Sequence, residues 1–331
     1  MLTHVAANLY DARYECGYME TWPDQKKATI LELVRGLQLP HTGEALDFGC
    51  GNGVLTEVLR QALHPGWAVY GTDVSARAIA NAKSWYRRCR FFLPSDREFM
   101  GRKFDFVFTH HVLEHVNSLD EVLDSITSRL KPGSVMLHVL PCGNEGSFEH
   151  NLCKLHKHGF KPGGMFFFED EAHLRRLTTD QLCTLWGQRG FSMTSEFYRN
   201  QHHGALNWIT HTHSPGFIGH LTAPDSARDE QAAKVLRALR YRLLFYWAVR
   251  YPVVRWEESL RKKRRRWKDY LFLALGMTLY PFSKPMDAYL NRNDKSEWER
   301  SNTRRNGSEM YLCFRSPEYR REEQTATLDM A

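Results

Sequence analysis

Three glycines alternate with other residues directly after a short apolar run. The run covers residues 44–48 and carries Asp47 near its end, and Gly49, Gly51 and Gly53 follow it, leading into a stretch with helical spacing. This order is typical of a strand, a tight turn and a helix. Glycine permits positive φ angles and lets a ligand approach bare main chain, and the first N–H groups of a helix have no partner within it. The pattern predicts a ligand site at the end of the first strand.

An acidic residue after the next predicted strand narrows the class of ligand. The dinucleotide-binding fingerprint is G-x-G-x-x-G, whereas the spacing here is G-x-G-x-G. The predicted strand at residues 67–72 ends at Asp73, and a carboxylate there can accept hydrogen bonds from both hydroxyls of a ribose. The spacing therefore disfavours a pyrophosphate site and favours another ribose-containing ligand.

These two motifs carry a resemblance to a known family. The segment from Asp47 to Gly53, followed by Asp73, resembles the first two motifs of the class I S-adenosylmethionine (SAM) methyltransferases. The stretches FDFVFTHHVLEHV and LKPGSVMLHVLP are similar to the ubiquinone-type branch of that class, and the resemblance covers roughly residues 10 to 200. It implies an α/β, Rossmann-like fold with a seven-stranded, mostly parallel sheet, helices on both faces, and SAM as the cofactor.

The resemblance also implies which residues contact SAM. In the family an acidic residue after the third strand binds the adenine amino group, and Asp96 holds that position. An aromatic N-terminal segment folds over the methionine end of SAM in relatives, and Tyr14 belongs to such a segment here. The predicted SAM-binding residues are Asp47, Gly49, Cys50, Gly51, Gly53, Asp73, Val74, Asp96, His110 and Tyr14.

Two histidines and a glutamate follow the fourth predicted strand. His111 lies three residues before Glu114 and four before His115, so a helical turn would place all three on one face. Methyl transfer to a hydroxyl needs the nucleophile held in line and its proton removed by a base or by a metal that lowers its pKa. His111, Glu114 and His115 are therefore the predicted catalytic residues.

A further resemblance extends this group to a metal site. Ubiquinone-pathway O-methyltransferases and small-RNA 2′-O-methyltransferases bind a divalent metal through E-x-x-E-H, in which His111 replaces the first glutamate here. The RNA enzymes add a later histidine, and His173 matches its position. The resemblance implies metal binding by His111, Glu114, His115 and His173. The alternative is that the same residues act without metal, as a base or in structural roles.

Alternating strands and helices must position these residues, and one long insertion interrupts them. The sixth predicted strand covers residues 191–198, and the best candidate for the seventh is Glu309–Arg315, so residues 200–306 are predicted to be a helical insertion before the last strand. An apolar helical pattern covers residues 229–250, and we expect Pro252 to end it. The predicted division is an N-terminal helical cap at 1–40, a SAM-binding core at 41–199, the insertion at 200–306, the final strand at 307–316 and a disordered tail at 317–331.

The net charge of +7 belongs to the second part of the chain. Residues 1–200 hold 22 Lys and Arg against 23 Asp and Glu, a balance of −1, and residues 201–331 hold 23 against 15, a balance of +8.

A basic run at 261–268 precedes an apolar run at 270–282 that is too short to span a bilayer. We expect residues 261–282 to contact an anionic membrane surface. Nucleic-acid phosphates and a solvated charged helix are the alternatives. Aromatic residues interleave with the apolar run more than with the basic run, which favours lipid over RNA.

Composition and motifs together predict the compartment and the activity. Seven cysteines without a C-x-x-C pair are typical of free thiols in a reducing compartment. With no signal peptide recognised, we expect a cytoplasmic protein, peripheral at the inner membrane face.

The predicted function is SAM-dependent methylation of a hydroxyl, rather than an amine, on a small, lipid- or glycan-linked acceptor. An RNA 2′-O-methyltransferase with a metal site and a SAM-binding scaffold without turnover are the alternatives. The acceptor atom and the oligomeric state stay open.

Overall fold

A computed structural model describes residues 10–15, 17–161, 173–212, 214–261 and 267–316. The predicted disordered tail at 317–331 and the first nine residues of the predicted cap lie outside the described residues. The strands are β1 (Thr42–Phe48), β2 (Gly66–Thr72), β3 (Arg90–Phe92), β4 (Phe104–His110), β5 (Leu130–Pro141), β6 (Ser192–Arg199) and β7 (Glu309–Arg315).

The helices alternate with the first strands and then follow one another between β6 and β7. Residues 10–15 are helical, and Pro224–Ser226 forms a short 3-10 turn. The longer helices are α1 (Asp24–Gly36), α2 (Val54–Ala62), α3 (Ala76–Trp85), α4 (Leu119–Thr127), α5 (Phe148–Cys153), α6 (Thr179–Gly187), α7 (His203–Thr212), α8 (Pro215–Leu221), α9 (Glu230–Arg261) and α10 (Trp267–Ser301).

The strands form one seven-stranded sheet in the order β3-β2-β1-β4-β5-β7-β6. Parallel pairing joins β1 to β2 and β4, β2 to β3, and β4 to β5. The chain moves outward in one direction through β2 and β3, and then returns to the other side of β1 to begin β4. Open α/β sheets bind ligands outside the carboxyl ends of the strands at such a reversal, so the topology directs attention to the ends of β1 and β4.

The last strand runs opposite to its two neighbours. The N–H of Ser316 donates to the Ser134 oxygen near the start of β5, whereas the N–H of Cys142, just past the end of β5, donates to the Ser308 oxygen. On the other side, the N–H of Ser308 donates to the Asn200 oxygen just beyond β6. The predicted fold class is confirmed: a Rossmann-like, mostly parallel seven-stranded sheet with a helical segment before the last strand.

The described residues divide into two compact units. The first comprises residues up to 139 with 182–195 and 312–316, and the second comprises residues within 140–181 and 196–311. In the first unit, Phe106, Val107 and Phe108 of β4 are fully buried, as expected of a parallel strand covered on both faces. The five-part division predicted from the sequence stays a prediction.

The second unit has a helical core of its own. Side chains from α7, α9 and α10 meet there, including Leu206, Ile209, Leu236, Leu243 and Leu290, all inaccessible to solvent. Among the described helices, none combines the length and the apolar character needed to cross a membrane.

The predicted end of a helix at Pro252 is wrong, because α9 continues through this residue to Arg261. Proline removes one backbone donor and disfavours a helix interior, but packing in the second unit opposes that preference. Val253 is buried, and a Cβ added at Gly276 of α10 would lie 2.2 Å from Trp256 Cβ and 2.9 Å from the Pro252 oxygen. The close approach of α9 and α10 at Gly276 therefore keeps α9 helical where local sequence alone predicts a break.

Candidate functional site

The glycine turn, residues 49–53, is anchored to the end of β2. Gly49, Gly51 and Gly53 have φ angles of 82°, 50° and 82°, a region that costs other residues roughly 1–2 kcal/mol. The N–H groups of Gly49 and Cys50 donate to the Thr72 oxygen at 2.8 and 3.0 Å. The strand end and the three glycines thus fix the path of the main chain where the sequence predicts a ligand.

Each glycine of the turn is closely covered, so a side chain would have no room. A Cβ at Gly51 would lie 2.7 Å from the Tyr14 hydroxyl, and one at Gly49 would lie 2.4 Å from a methyl group of Val112. Such distances are shorter than real Cβ contacts. The packing of the protein's own side chains therefore requires glycine at these positions.

Asp73 links the glycine turn to the start of α3. Its Oδ2 accepts the N–H of Gly51 at 2.9 Å, and its Oδ1 accepts the N–H of Ser75 at 2.9 Å. Burial raises the pKa of this carboxyl above its ordinary value, and these backbone hydrogen bonds act in the opposite direction. An ionised carboxylate has about four acceptor positions, so both oxygens keep capacity for ribose hydroxyls. Beside it, Val74 is exposed.

Asp47, the acidic residue before the glycines, is buried and titrates near neutrality. Its Oδ2 accepts the Thr56 hydroxyl at 2.6 Å. Burial raises the pKa of Asp47 to about 7; the hydrogen bond from Thr56 lowers it and the nearby carboxylate of Asp73 raises it further. A cation placed beside Asp47 would lower this pKa again, so the binding of a positively charged ligand is coupled to loss of a proton.

Asp96 organises the turn that follows β3. Its Oδ2 accepts the N–H of Leu93 at 2.9 Å, and its own N–H donates to the Leu93 oxygen at 3.0 Å. Its carbonyl oxygen also accepts the N–H of Phe99 at 2.9 Å. The structure thus gives Asp96 a positioning role at the end of β3, and its contact with adenine stays a prediction.

An aromatic cover lies over the glycine turn and the end of β4; its members are Tyr10, Tyr14, Tyr18 and Trp22. Tyr14 is buried, and the rings of Tyr14 and Tyr18 meet edge to face at 5.6 Å. The Trp22 ring packs edge-on against His110, with centroids 4.6 Å apart. Burial, followed by the charge of Asp73, raises the pKa of the Tyr14 hydroxyl. The cover is therefore neutral and places aromatic faces above the main chain of the turn.

Asn52 holds the aromatic cover in place, and sequence reasoning did not find this role. Its side chain is buried between two glycines of the turn. The Nδ2 group donates to the Tyr18 oxygen at 3.0 Å, and the Oδ1 atom accepts a hydrogen bond from Asn81 at 3.0 Å. No local sequence pattern signals this role, because the hydrogen bond to Tyr18 joins residues 34 positions apart in the chain.

Asp11 provides a second anchor that the sequence did not indicate. Its Oδ1 accepts the hydroxyl of Ser75 and, at 3.1 Å, the N–H of Arg77. Ser75 is the N-cap of α3, and its side chain accepts the N–H of Ala78. A carboxylate is favoured at a helix N-terminus, so Asp11 ties the segment that bears the aromatic cover to α3.

The turn after β4 brings His111 and Glu114 together. His111 adopts a φ angle of 53°, and its N–H donates to the Val139 oxygen at 2.9 Å. Its Nδ1 lies 2.8 Å from Oε1 of Glu114, whose side chain is 1% exposed against 24% for His111. A buried carboxylate thus faces a histidine that solvent can reach.

His115 and His173 are the two remaining predicted metal ligands. The left-handed backbone at His111 replaces the expected helix by a turn, closed by a hydrogen bond from the His115 N–H to Val112 at 3.0 Å. The His115 ring packs edge-on against Tyr10, with centroids 6.2 Å apart. His173 lies in the second unit, in an irregular stretch before α6. The four-ligand metal site stays a prediction.

Comparison with known proteins identifies the family of the chain. A family model described as a methyltransferase domain matches residues 20–196, which is more than half of the chain. The chain belongs to the methyltransferase domain family. This confirms the resemblance to the class I SAM-dependent methyltransferases that the motifs carry.

Curated relatives of this methyltransferase match it over part of their length. A trans-aconitate 2-methyltransferase of Variovorax paradoxus is 26% identical over 126 residues, which cover 38% of this chain and 48% of that protein. A ubiquinone biosynthesis O-methyltransferase of Brucella ovis is 34% identical over 100 residues, which cover 28% of this chain and 38% of that protein. The chain thus spans less than half the length of these relatives.

A solved structure shares the fold over nearly the whole chain. The [4+2]-cyclase SpnF superposes with a TM-score of 0.50 at 14% sequence identity, over 96% of this methyltransferase and 97% of that chain. A similarity at this identity supports the fold alone. Helices α7 to α10 lie beyond the family match at 20–196, so their role must be argued from their own residues.

Proposed function

We propose that this methyltransferase binds SAM at the glycine turn and transfers the methyl group to a hydroxyl of a small molecule. When bound, SAM supplies a methyl group on a positively charged sulfur. The residues that would hold it are the glycine turn, Asp73 and the aromatic cover, with Asp47 beneath them. The pairing of His111 with Glu114, 2.8 Å apart, is the observation that carries the choice of acceptor.

The His111–Glu114 pair has the form of an oriented base. A proton on Nδ1 directed at the buried Glu114 carboxylate leaves Nε2 of His111 as the proton acceptor. The carboxylate also stabilises the imidazolium that forms when Nε2 takes a proton, as in other histidine–carboxylate pairs. A hydroxyl needs such a base during transfer, whereas an amine already presents a lone pair in its neutral form. The pair therefore favours an oxygen nucleophile.

The relatives support the same choice. The Brucella ovis protein is named an O-methyltransferase. The acceptor itself is a proposal at the level of class: a hydroxyl on a small molecule that is lipid-linked or glycan-linked.

The test is a turnover assay with radiolabelled SAM and three panels of acceptors: phenols and lipid-linked alcohols, small amines, and RNA with free 2′-hydroxyls. We expect label transfer to the first panel, a severe loss of rate in His111→Ala, and a smaller loss in Glu114→Gln. Transfer confined to amines, or full activity in His111→Ala, would contradict the proposal. SAM binding without transfer to any panel would identify a scaffold instead of an enzyme.

The same assay also tests whether a metal ion is needed for activity. A base formed by His111 and Glu114 predicts activity that survives chelator and His173→Ala. Activity lost with chelator and restored by a divalent cation, together with loss in His173→Ala, would replace the base by a metal-activated hydroxyl.

A further inference from the structure

We propose that the outer faces of α9 and α10 form a lipid-docking surface, on which the second unit binds an anionic bilayer without crossing it. This surface is defined by Tyr241, Phe245, Leu275, Met277, Phe282 and Tyr289. Their exposed fractions are 69%, 60%, 42%, 68%, 66% and 51%, in that order. Large apolar side chains seldom gather on an exposed surface without a partner, and the established fold assigns them no role.

The exposed face of α10 lacks charge over five turns of helix. Between residues 270 and 289 the only charged side chains are Lys284 and Asp287. Lys284 pairs with Glu257 at 2.5 Å, and Asp287 pairs with Arg250 at 2.6 Å. Lys284 and Asp287 therefore both pair with residues of α9. The other side chains of this stretch are uncharged.

The spacing along α10 separates an inner from an outer stripe. Gly276, Ser283 and Leu290 are spaced by seven residues and line the inner side, where Ser283 and Leu290 are inaccessible to solvent. Leu275, Phe282 and Tyr289 each precede one of them by one residue, which is about 100° around the helix axis. The outer stripe is thus a regular apolar edge rather than scattered exposed residues.

Helix α9 adds a second apolar stretch. Tyr241 and Phe245 are four residues apart and both exposed, so they lie on one face of the helix. Ala248 and Pro252 continue that face at further steps of three and four residues. Tyrosine, phenylalanine and leucine are residues that partition into the interface between lipid head groups and acyl chains.

The basic residues near this surface indicate which partner binds it. Most of the basic run at 261–268 lies outside the described residues, but α9 itself holds six Lys and Arg and no Asp or Glu between residues 234 and 256. Of these, Lys234, Arg237 and Arg255 are exposed. Two copies of the chain docked through this surface would bring two cationic stretches together, whereas anionic lipid attracts each of them by about 1 kcal/mol per basic residue. Nucleic acid would satisfy the charge but would leave the aliphatic and methionine side chains exposed to water. Apolar and basic groups together fit anionic lipid best.

The experiment measures co-sedimentation of the full chain with vesicles of phosphatidylcholine alone or mixed with phosphatidylserine. We expect binding to the mixed vesicles, decreasing as salt is raised, because both the basic residues and the apolar surface contribute. The variant Met277→Ser/Phe282→Ser should weaken binding by at least ~tenfold, since each removed side chain no longer enters the interface. Tyr241→Ser/Phe245→Ser repeats the test on α9.

A matched control comes from the first unit. Trp85 and Met100 are 44% and 56% exposed, and Trp85→Ser/Met100→Ser should bind vesicles like the unmodified chain. Thermal unfolding of all variants checks that the exposed positions leave the fold intact.

Three results would overturn the proposal. One is absence of binding to mixed vesicles. The second is equal binding by the α9, α10 and control variants. The third is a dimer by light scattering that the Met277→Ser/Phe282→Ser variant converts to a monomer, which would make a second copy the occupant. Retention of RNA without binding to mixed vesicles would also overturn the proposal.

Discussion

The two units are held together by different kinds of contact. In the first unit, polar main-chain groups, buried carboxylates and residues with positive φ converge at the ends of β1 and β4. In the second unit, helices pack through apolar side chains and a few buried ion pairs, and apolar surface is left exposed on α9 and α10. The first unit therefore depends on the placement of single atoms, whereas the second depends on faces of helices.

This contrast decides what a substitution should do in each unit. A change at His111 should alter turnover with little effect on folding. A change at a buried ion pair of the second unit should alter stability with little effect on SAM. The five predictions that follow test that separation, in order of decreasing effect.

Removal of the proposed base should give the largest effect. In His111→Ala we expect kcat to fall by about 10²–10⁴-fold, the range for loss of a general base, with the SAM dissociation constant unchanged. The measurement pairs label transfer with calorimetric SAM binding. His158→Ala, at an exposed histidine of the second unit, is the control. Equal losses in both variants would erase the distinction between the units.

The buried guanidinium of Arg250 should matter for stability alone. Arg250 donates to Asp287 at 2.6 Å and to the Asn207 side chain at 2.5 Å, and it is 2% exposed. Arg250→Ala should lower the free energy of unfolding by about 3 kcal/mol, because it leaves polar partners unpaired. Hydrogen exchange should rise in α7, α9 and α10 and not in β1 and β4. Arg237→Ala, at an exposed position of α9, is the control.

Asp47 should make SAM binding depend on pH. Its folded pKa of about 7 means that the carboxyl gains charge as pH rises through neutrality, and a cationic ligand binds the charged form better. We expect the SAM dissociation constant to fall by about tenfold between about pH 6 and about pH 8, equivalent to a shift of one pKa unit. Asp47→Asn should flatten this profile. An unchanged profile in Asp47→Asn would assign the titration to another group.

The same residue has a consequence for stability, with a sign that follows from its raised pKa. The folded pKa of about 7 exceeds the ordinary value of 3.8, so the folded state holds a proton more tightly than the unfolded chain. The resulting stabilisation is complete below about pH 4 and is lost as pH rises through about 7. Denaturation of Asp47→Asn across this window should lack that loss.

The smallest effect should come from the anchor of the aromatic cover. Asn52→Ala removes the hydrogen bond to the Tyr18 oxygen, worth about 1 kcal/mol, so SAM affinity should fall by about fivefold with kcat nearly unchanged. Asn81→Ala keeps that bond and removes only the bond to Asn52 Oδ1, so its effect should be smaller. A larger effect in Asn81→Ala would show that the cover is not held through Asn52.

The first unit could be predicted well because its signals are local. One arrangement of the main chain satisfies both sterics and hydrogen bonding for glycines at 49, 51 and 53 and for Asp73 at a strand end. The structure adopts that arrangement. The strand Glu309–Arg315 was also found, since an apolar run at the end of the chain was the one candidate to complete the sheet. The contact of His111 with Glu114 was expected from a helical turn, but a turn with left-handed backbone at His111 makes it instead.

What the sequence missed depends on contacts between distant segments. Asn52 and Asp11 act on main chain that lies 34 residues away in one case and more than 60 in the other, and no local pattern signals that. His115 was expected beside His111, but the left-handed backbone at His111 turned it towards Tyr10. Pro252 was expected to end α9, and packing against Gly276 of α10 overrode the local preference.

The central claim is that the glycine turn of the first unit binds SAM. Calorimetric titration of the chain and of Gly51→Val with SAM tests it most directly, because a side chain there would meet Tyr14 at 2.7 Å and would occupy a backbone with φ of 50°. We expect saturable binding of one SAM per chain and its loss in the variant, with far-UV circular dichroism checking that the variant is folded. Equal SAM affinity in the two proteins, or no binding by either, would contradict it.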